Sequence, residues 1–225
     1  SYIQTADVDL QNWHAKIHPI GNTTTNFYGK YDGGGFKISN WSYTQPENSS
    51  TVTSTGLFGI VTDAEIKSVR LNGVWTLNGS AHASTYLADG FLCGTATGST
   101  VYDVDANFSP GTLLAGGSST TAPITHRVGG LIGYASESVV CNVTLKGTVD
   151  LKPFGASGHN TYVGGVIGYA INAASSVSLL RNVAIFPNGI TGNAAGGLVG
   201  YFHMGSLSHS LNAMQGDVIG ITHAG

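Results

Sequence analysis

Apolar and polar residues alternate in short segments of this chain, and one such segment recurs almost unchanged. Its copies read TGLFGIV at 55–61, DGFLCGTA at 89–96, VGGLIGYA at 128–135, VGGVIGYA at 163–170 and AGGLVGYF at 195–202. The glycine that closes each core falls at positions 59, 94, 133, 168 and 200, so the intervals are 35, 39, 35 and 32 residues. A repeat of that length predicts an architecture built by stacking similar units.

A second recurring segment follows each copy of the first, and it begins at Ala64, Ser99, Ser138 and Ser178 and, in degraded form, at Gly205. It alternates apolar and polar residues around a small polar residue, namely Ser68, Asp103, Asn142 and Asn182. This pattern predicts two short strands that meet at a corner. Because no segment has helical periodicity over three turns, we expect an all-β protein in which each repeat forms one coil.

Like segments repeat in one direction, which favours parallel stacking of the coils over an array of hairpins. Equivalent residues of neighbouring coils would then lie about 4.8 Å apart. Two apolar columns would run through the interior: Leu57, Leu92, Leu131, Val166 and Leu198 in one, and Val69, Val104, Val143 and Val183 in the other. We expect about five to six coils.

The repeated phrases resemble the GLUG motif, named for glycine, leucine, an apolar residue and glycine. That motif is found in right-handed β-helix segments of bacterial surface proteins, adhesin-like proteins and some viral proteins. The resemblance covers about residues 55–216, and residues 2–43 resemble the coil that precedes such repeats. It implies one right-handed parallel β-helix domain over 1–225, with initial coils in 1–54 and repeats in 55–216. It implies no catalytic position, because the residues of the motif are packing residues. The abrupt first strand suggests a piece of a larger chain, or a coil that something else completes.

Composition narrows the choice of partners. Charged residues make up 9% of the 225 residues, against about 25% in an average soluble domain. The nine lysines and arginines are scattered and the net charge is -3, so we expect no nucleic-acid partner. No window is apolar over the roughly 18 residues that a membrane span needs. Two cysteines, Cys93 and Cys141, are too few for a disulfide framework or a zinc site, and we expect neither metal nor cofactor.

The polar residues predict no catalytic site. Overlaying the coils gives two outward columns, Arg70 with Asp105, Thr144 and Ala184, and Lys67 with Tyr102, Cys141 and Arg181. They contain one opposite-charge contact, Arg70 with Asp105, and no carboxylate cluster. His14 and His18 would lie about 13 Å apart on a strand and could not share a metal. We interpret the remaining histidines, at 82, 126, 159, 203, 209 and 223, as surface residues, and Cys93 as a small buried hydrophobe.

The first repeated segment has a second apolar face. It collects Phe58, Cys93, Ile132, Ile167 and Val199, followed by Ile60, Thr95, Tyr134, Tyr169 and Tyr201. A strand that is apolar on both faces needs a cover. Either the long loops at 40–54, 107–127 and 151–162 supply it, or another subunit does. The candidate interface residues are therefore Ile132, Tyr134, Ile167, Tyr169 and Tyr201. We expect Gly133 to admit a neighbouring chain or to relieve a crowded bend.

Six Asn-x-Ser/Thr sequons are candidate glycosylation sites, at Asn22, Asn40, Asn48, Asn78, Asn107 and Asn142, unless a polar chain forms them by chance. The hypothesis that fits best is a non-enzymatic structural or adhesive module of an extracellular, cell or virion surface. Its partners would be copies of itself, glycans or a host surface. Trp13, Trp41, Trp75 and the tyrosine column would stack on sugars or pack under loops. The alternative is a polysaccharide-degrading β-helix enzyme, a lyase or hydrolase that uses Asp103 and Asp105.

Overall fold

A computed structural model describes residues 1–13, 17–45, 53–79, 86–116, 125–153, 160–171 and 176–224, with the backbone alone for 221–224. These residues contain strands, turns and bends and no helix. Every strand pairing among them is parallel, and the strands stack as a β-solenoid. The all-β parallel solenoid predicted from the repeats is confirmed.

The strands are short, as expected for coils that turn a corner every few residues. In chain order they are β1 (Tyr2–Ile3), β2 (Val8–Asp9), β3 (Lys30–Asp32), β4 (Lys37–Ser39), β5 (Ser42–Thr44), β6 (Ser54–Thr55), β7 (Phe58–Thr62), β8 (Glu65–Gly73), β9 (Thr76–Asn78), β10 (Tyr86–Asp89), β11 (Cys93–Thr97), β12 (Thr100–Phe108), β13 (Leu113–Ala115), β14 (Thr125–Gly129), β15 (Ile132–Ser136), β16 (Val139–Gly147), β17 (Asp150–Lys152), β18 (Asn160–Gly164), β19 (Ile167–Ile171), β20 (Ser176–Asn182), β21 (Ile190–Gly196), β22 (Val199–His203), β23 (Ser206–Ser208), β24 (Leu211–Asn212) and β25 (Val218–Ala224).

Four sheets run along the solenoid. The ten-stranded sheet contains β1–β4, β8, β12, β16, β20, β23 and β24; the four-stranded sheet contains β5, β9, β13 and β17; the six-stranded sheet contains β6, β10, β14, β18, β21 and β25; and the five-stranded sheet contains β7, β11, β15, β19 and β22. A coil visits the sheets in that order, so β8, β9, β10 and β11 form one turn.

Within the described residues about four turns contain all four strands, fewer than the five to six coils expected from the number of copies. The turn that begins with β20 has no strand in the four-stranded sheet. There Ile185 makes isolated bridges to Thr148 and Gln215, and a turn at Pro187 and Asn188 follows. Proline has no N–H to donate to a sheet, which explains why this side of the coil is irregular.

The interior is a set of apolar columns. Leu92, Leu131 and Val166 are fully buried, and their backbones are hydrogen-bonded from coil to coil. Val69, Val104 and Val143 form the second predicted column, but Val143 pairs with Leu180. Val183 was therefore assigned to this column wrongly, and its side chain is 41% exposed. The register follows burial, because Val177 and Leu180 are the apolar residues of β20 that face the interior.

The predicted corner divides the long strands of the ten-stranded sheet. Ser68, Asp103 and Asn142 each have a positive φ, between 52° and 56°. Asparagine and aspartate tolerate this left-handed conformation better than most residues do. In the next coil the corner is Leu179, with φ 53°, and not Asn182 as the sequence pattern predicted. Asn182 is instead fully buried; its amide donates to the Gly197 carbonyl and its Oδ1 accepts from the Ala184 N–H.

The glycine that closes each repeated phrase lies where two sheets approach closely. A Cβ added at Gly133 would come within 2.8 Å of the Ala88 carbonyl carbon in the six-stranded sheet. Gly168, one coil further on, has the same relationship with Val128, at 2.7 Å. Real Cβ atoms do not pack this tightly against backbone, so these positions need glycine.

Candidate functional site

The tyrosine column predicted from the repeats is present. Tyr134 pairs with Tyr169, and Tyr169 pairs with Tyr201, in neighbouring strands of the five-stranded sheet. All three side chains are partly exposed. Ile132 and Ile167, which precede the tyrosines on the same strands, are fully buried within the chain. Of the candidate interface residues, therefore, only the tyrosines offer surface to a partner.

The six-stranded sheet covers part of this second apolar face. Its outer column consists of Ser54, Ala88, Arg127, Tyr162 and Ala194. The hydroxyls of Ser54 and Thr95 lie 2.7 Å apart, and the ring centroids of Tyr162 and Tyr169 lie 4.9 Å apart. The cover thus includes an adjacent sheet of the same chain. Parts of the long loops proposed for this role, at 46–52, 117–124 and 154–159, lie outside the described residues.

An arginine lies at the centre of these rings. The Arg127 guanidinium carbon is 4.3 Å from the ring centroid of Tyr134, 5.1 Å from that of Tyr169 and 5.3 Å from that of Tyr86. These distances are within the range of cation–π attraction. The six residues that meet here are named the tyrosine–arginine cluster: Tyr86, Arg127, Tyr134, Tyr162, Tyr169 and Tyr201.

The rings of the cluster pack against one another and so fix one another's orientation. Tyr169 and Tyr201 are stacked, with centroids 4.7 Å apart and planes 20° apart. Tyr162 meets both of them edge to face, at 4.9 Å and 5.3 Å. Burial, followed by the neighbouring phenol of Tyr201, raises the pKa of Tyr169. Tyr169 is therefore a neutral phenol at physiological pH, and a phenol hydroxyl both donates and accepts hydrogen bonds.

The charge of Arg127 has no carboxylate partner among the described residues. Its Nε–H is buried and has no hydrogen-bond acceptor there. Burial lowers the pKa of the guanidinium, and the surrounding tyrosines raise it by a smaller amount. An arginine remains protonated under such a shift. The cluster therefore combines a partly desolvated cation with a row of phenols.

Several lysines, by contrast, are paired. Lys30 binds Glu65 at 2.8 Å, Lys67 binds Asp32 at 3.3 Å, Lys146 binds Asp105 at 2.8 Å and Lys152 binds Asp150 at 3.0 Å. Most of these groups lie on the surface of the ten-stranded sheet. Such pairs contribute little to stability, but they neutralise charge locally.

A polar cleft of about 410 Å³ lies on the ten-stranded sheet beside its corner. Its lining includes Arg70, Asp103, Asp105, Asn142 and Thr144. The column Arg70, Asp105 and Thr144 is confirmed by the register, but it continues to Arg181 and not to Ala184. The other column continues from Cys141 to Ser178 and not to Arg181. Both errors come from the same displaced alignment of β20 that misplaced Val183.

Four carboxylates of the ten-stranded sheet have polar or charged partners. Asp105 forms an ion pair with Lys146, whereas the sequence predicted a contact with Arg70. Asp103 accepts a 2.6 Å hydrogen bond from the Asn142 amide. The hydrogen bond from Lys30 lowers the pKa of Glu65, and the Gly34 N–H lowers that of Asp32. A general acid needs a raised pKa, so these two lowered groups are not suited to that role.

One histidine that was interpreted as a surface residue is in the core. His126 is 1% exposed and its Nε2 lies 2.7 Å from Oδ2 of Asp89 on the neighbouring strand. The correction has a simple origin: alternation along β14 puts His126 on the same face as the buried Val128. His18, His203 and His209 are exposed as expected. His14, His82 and His159 lie outside the described residues, as does the side chain of His223.

The cysteines and tryptophans are mostly structural. Cys93 is fully buried, as predicted, and burial raises the pKa of its thiol. Burial also raises the pKa of the half-buried Cys141. Trp41 and Trp75 are fully buried with centroids 5.5 Å apart, so they pack in the core and cannot stack on a sugar. Trp13 is 51% exposed.

The sequons differ in accessibility. Asn22, Asn107 and Asn142 are exposed, whereas Asn40 and Asn78 are partly buried and Asn48 lies outside the described residues. Four of the five described side chains are engaged: Asn22 accepts from the Thr24 and Thr25 N–H groups, Asn40 accepts from the Val74 N–H, Asn78 donates to the Thr44 hydroxyl and Asn142 donates to Asp103. Asn107 is exposed on β12, and among these five its side chain is the one that has no hydrogen bond to the described residues.

Within the part of the chain that the structure describes, no three metal-binding side chains come together. The same residues include no helix of the length and apolar character that a membrane crossing requires. Comparison with known protein families, with curated proteins and with solved structures finds no match to this chain.

Proposed function

We propose that this chain is a non-enzymatic structural and adhesive module of an extracellular, cell or virion surface, and that it binds glycans through the tyrosine–arginine cluster. The observation that carries the proposal is the row of partly exposed tyrosines, Tyr134, Tyr169 and Tyr201, in register along the solenoid. Each ring combines an apolar body with a polar hydroxyl, as a sugar combines C–H and O–H groups.

The stacked coils support this role because they fix the spacing of the rings. The three tyrosines lie on adjacent strands of one sheet, so backbone hydrogen bonds hold them about 4.8 Å apart. Tyr162, on the neighbouring sheet, orients Tyr169 and Tyr201 through edge-to-face contacts. A preorganised row loses little conformational entropy when it binds an extended polysaccharide.

Self-association through the same face is the competing interpretation. It needs apolar area, and Ile132 and Ile167, the most apolar residues of the candidate interface, are already fully buried. What remains exposed is mixed in polarity and contains a cation. Such a surface fits a polyhydroxylated ligand better than a second apolar face.

Binding to a panel of immobilised polysaccharides tests the proposal. We expect the wild type to bind at least one of them and Tyr201→Ala to weaken that binding about tenfold, the effect of losing a well-placed aromatic contact. Tyr28→Ala is the matched control, since Tyr28 is 64% exposed and lies on the first coil away from the cluster. No binding to any polysaccharide, together with concentration-dependent dimerisation in light scattering, would favour self-association.

The polar cleft on the ten-stranded sheet favours the enzyme alternative, because Asp103 and Asp105 both line it. The alternative requires that the wild type depolymerise a polysaccharide and that Asp103→Asn or Asp105→Asn abolish the cleavage while the fold persists. Since Asp105 is neutralised by Lys146, we expect no release of reducing ends and no unsaturated product.

A further inference from the structure

We propose that the tyrosine–arginine cluster recognises an acidic sugar, one that carries a carboxylate or a sulfate, and that the Arg127 guanidinium binds the anionic group. This inference rests on the proposed glycan-binding function and specifies the chemical class of the glycan. Its basis is the position of one cation that the fold surrounds with tyrosines and that has no carboxylate partner among the described residues.

The surroundings of the Arg127 charge differ from those of four lysines. The four lysines 30, 67, 146 and 152 each contact a carboxylate at 2.8–3.3 Å. Arg127, which is more buried than they are, contacts three phenol rings. Its buried Nε–H has no acceptor among the described residues. A desolvated cation and an unmet donor both gain free energy when an anion binds.

No carboxylate of the described residues competes for the guanidinium. Asp89, on the preceding strand of the same sheet, points into the solenoid and binds His126. Ala88, which pairs with Arg127 on the outer face, has no charge. The position beside the guanidinium is therefore free of a local anion that a ligand would have to displace.

The chemistry of arginine selects the kind of anion. A guanidinium is a planar fork of N–H donors that fits the two oxygens of a carboxylate or of a sulfate ester. The tyrosine hydroxyls beside it supply further hydrogen bonds to the sugar ring. The net charge of the chain is -3, so long-range attraction does not bring a polyanion to the surface. Binding of an acidic glycan would therefore indicate attraction at the cluster itself and not by the overall charge of the chain.

The test compares three soluble probes by isothermal titration calorimetry: polygalacturonate, which carries carboxylates, dextran sulfate, which carries sulfate esters, and neutral dextran. The variants are Arg127→Gln, Arg127→Lys and the matched control Arg181→Gln, which removes the same charge from the exposed surface of the ten-stranded sheet. We expect Arg127→Gln to weaken binding of an acidic probe about tenfold or more, as expected for a charged hydrogen bond. Arg127→Lys should bind with intermediate affinity, and Arg181→Gln should change it less than twofold.

The outcomes separate the inference from the proposed function. Weakened binding of polygalacturonate alone assigns a carboxylate, and weakened binding of dextran sulfate alone assigns a sulfate. If dextran binds as tightly as the acidic probes, and Arg127→Gln binds like the wild type while Tyr201→Ala does not, the acidic-sugar inference fails and glycan binding stands. If the wild type binds none of the probes, both fail. Should Arg127→Gln not fold, Arg127→Lys keeps the charge and the cation–π contact and still tests the fork geometry.

Discussion

Oδ2 of Asp89 lies 2.7 Å from Nε2 of His126, in the interior of the solenoid and on adjacent strands of the six-stranded sheet. The two residues are 6% and 1% exposed. On one side the two columns are apolar, since Val128 pairs with Asp89 and Leu87 pairs with His126. On the other side they continue to the buried Thr55 and Thr161, so the pair lies within a polar part of the interior.

The pair predicts a large difference between single and double substitutions. Asp89→Val or His126→Leu alone should lower the free energy of unfolding by about 3 kcal/mol, because each removes a hydrogen bond from a buried polar partner. The double variant extends the two apolar columns and should recover most of that loss. Urea denaturation measures all three. A double variant whose loss equals the sum of the single losses would mean that the two side chains do not interact.

The corner of the fourth long strand predicts a stabilising substitution. Leu179 has φ 53° and is 46% exposed, so it has left-handed strain and little packing to lose. Leu179→Asn should raise the free energy of unfolding by about 1 kcal/mol, since asparagine accepts this conformation more readily. The reciprocal change Asn142→Leu, at a corner with φ 52°, should be destabilising. Equal stability of wild type and Leu179→Asn in thermal unfolding would contradict the argument.

The close approach of the two sheets predicts a glycine requirement at Gly133. Gly133→Ala should lower the free energy of unfolding by about 2 kcal/mol or more, because the added methyl meets backbone that cannot move aside. Gly29→Ala is the matched control: the atoms nearest to its added methyl belong to the Phe27 ring, which can shift. If both variants lose the same stability, contact with the adjacent sheet is not the reason for the glycine.

The tyrosine–arginine cluster predicts how stability depends on alkaline pH. The pKa of Tyr169 is raised in the folded protein, first by burial and then by Tyr201. The unfolded pKa is about 10, so the stabilising contribution is complete below that pH and is lost as the pH rises through the folded pKa. The free energy of unfolding should therefore fall above about pH 10. Tyr169→Phe removes the titrating group and should show a shallower decline, whereas an unchanged slope would exclude the contribution.

Burial of Cys93 predicts selective thiol chemistry. Its thiol is fully buried and donates to the Thr95 carbonyl, and burial raises its pKa, whereas Cys141 is only half-buried. A thiol reagent should modify Cys141 slowly in the native protein and Cys93 only after unfolding. Peptide mapping after labelling distinguishes the two, and Cys141→Ala should leave the native protein unreactive.

The sequence predicted the tyrosines of the candidate site but not its arginine. Tyr134, Tyr169 and Tyr201 were found because they recur at one phase of the repeat. Arg127 was missed although it precedes VGGLIGYA by one residue, because its equivalents, Ala88, Tyr162 and Ala194, share no chemistry with it. His126 was misplaced for a related reason: the alternation that marks it as buried is only five residues long. The displaced column of Val183 shows the same limit, since Asn142-Val143 and Asn182-Val183 look equivalent and are not.

The sequence by itself determined the parallel stacking, the order of the coils and most of the interior columns. Those properties follow from a phrase that occurs five times, and stacking only needs like residues to meet. Only the tertiary structure decided what covers the second apolar face, because the covering column of the six-stranded sheet, Ser54, Ala88, Arg127, Tyr162 and Ala194, changes in chemistry from coil to coil. The contact of Arg127 with the tyrosine row joins two sheets. The contact of Asp89 with His126 joins adjacent strands of one sheet. Both depend on positions in space that the repeat does not specify.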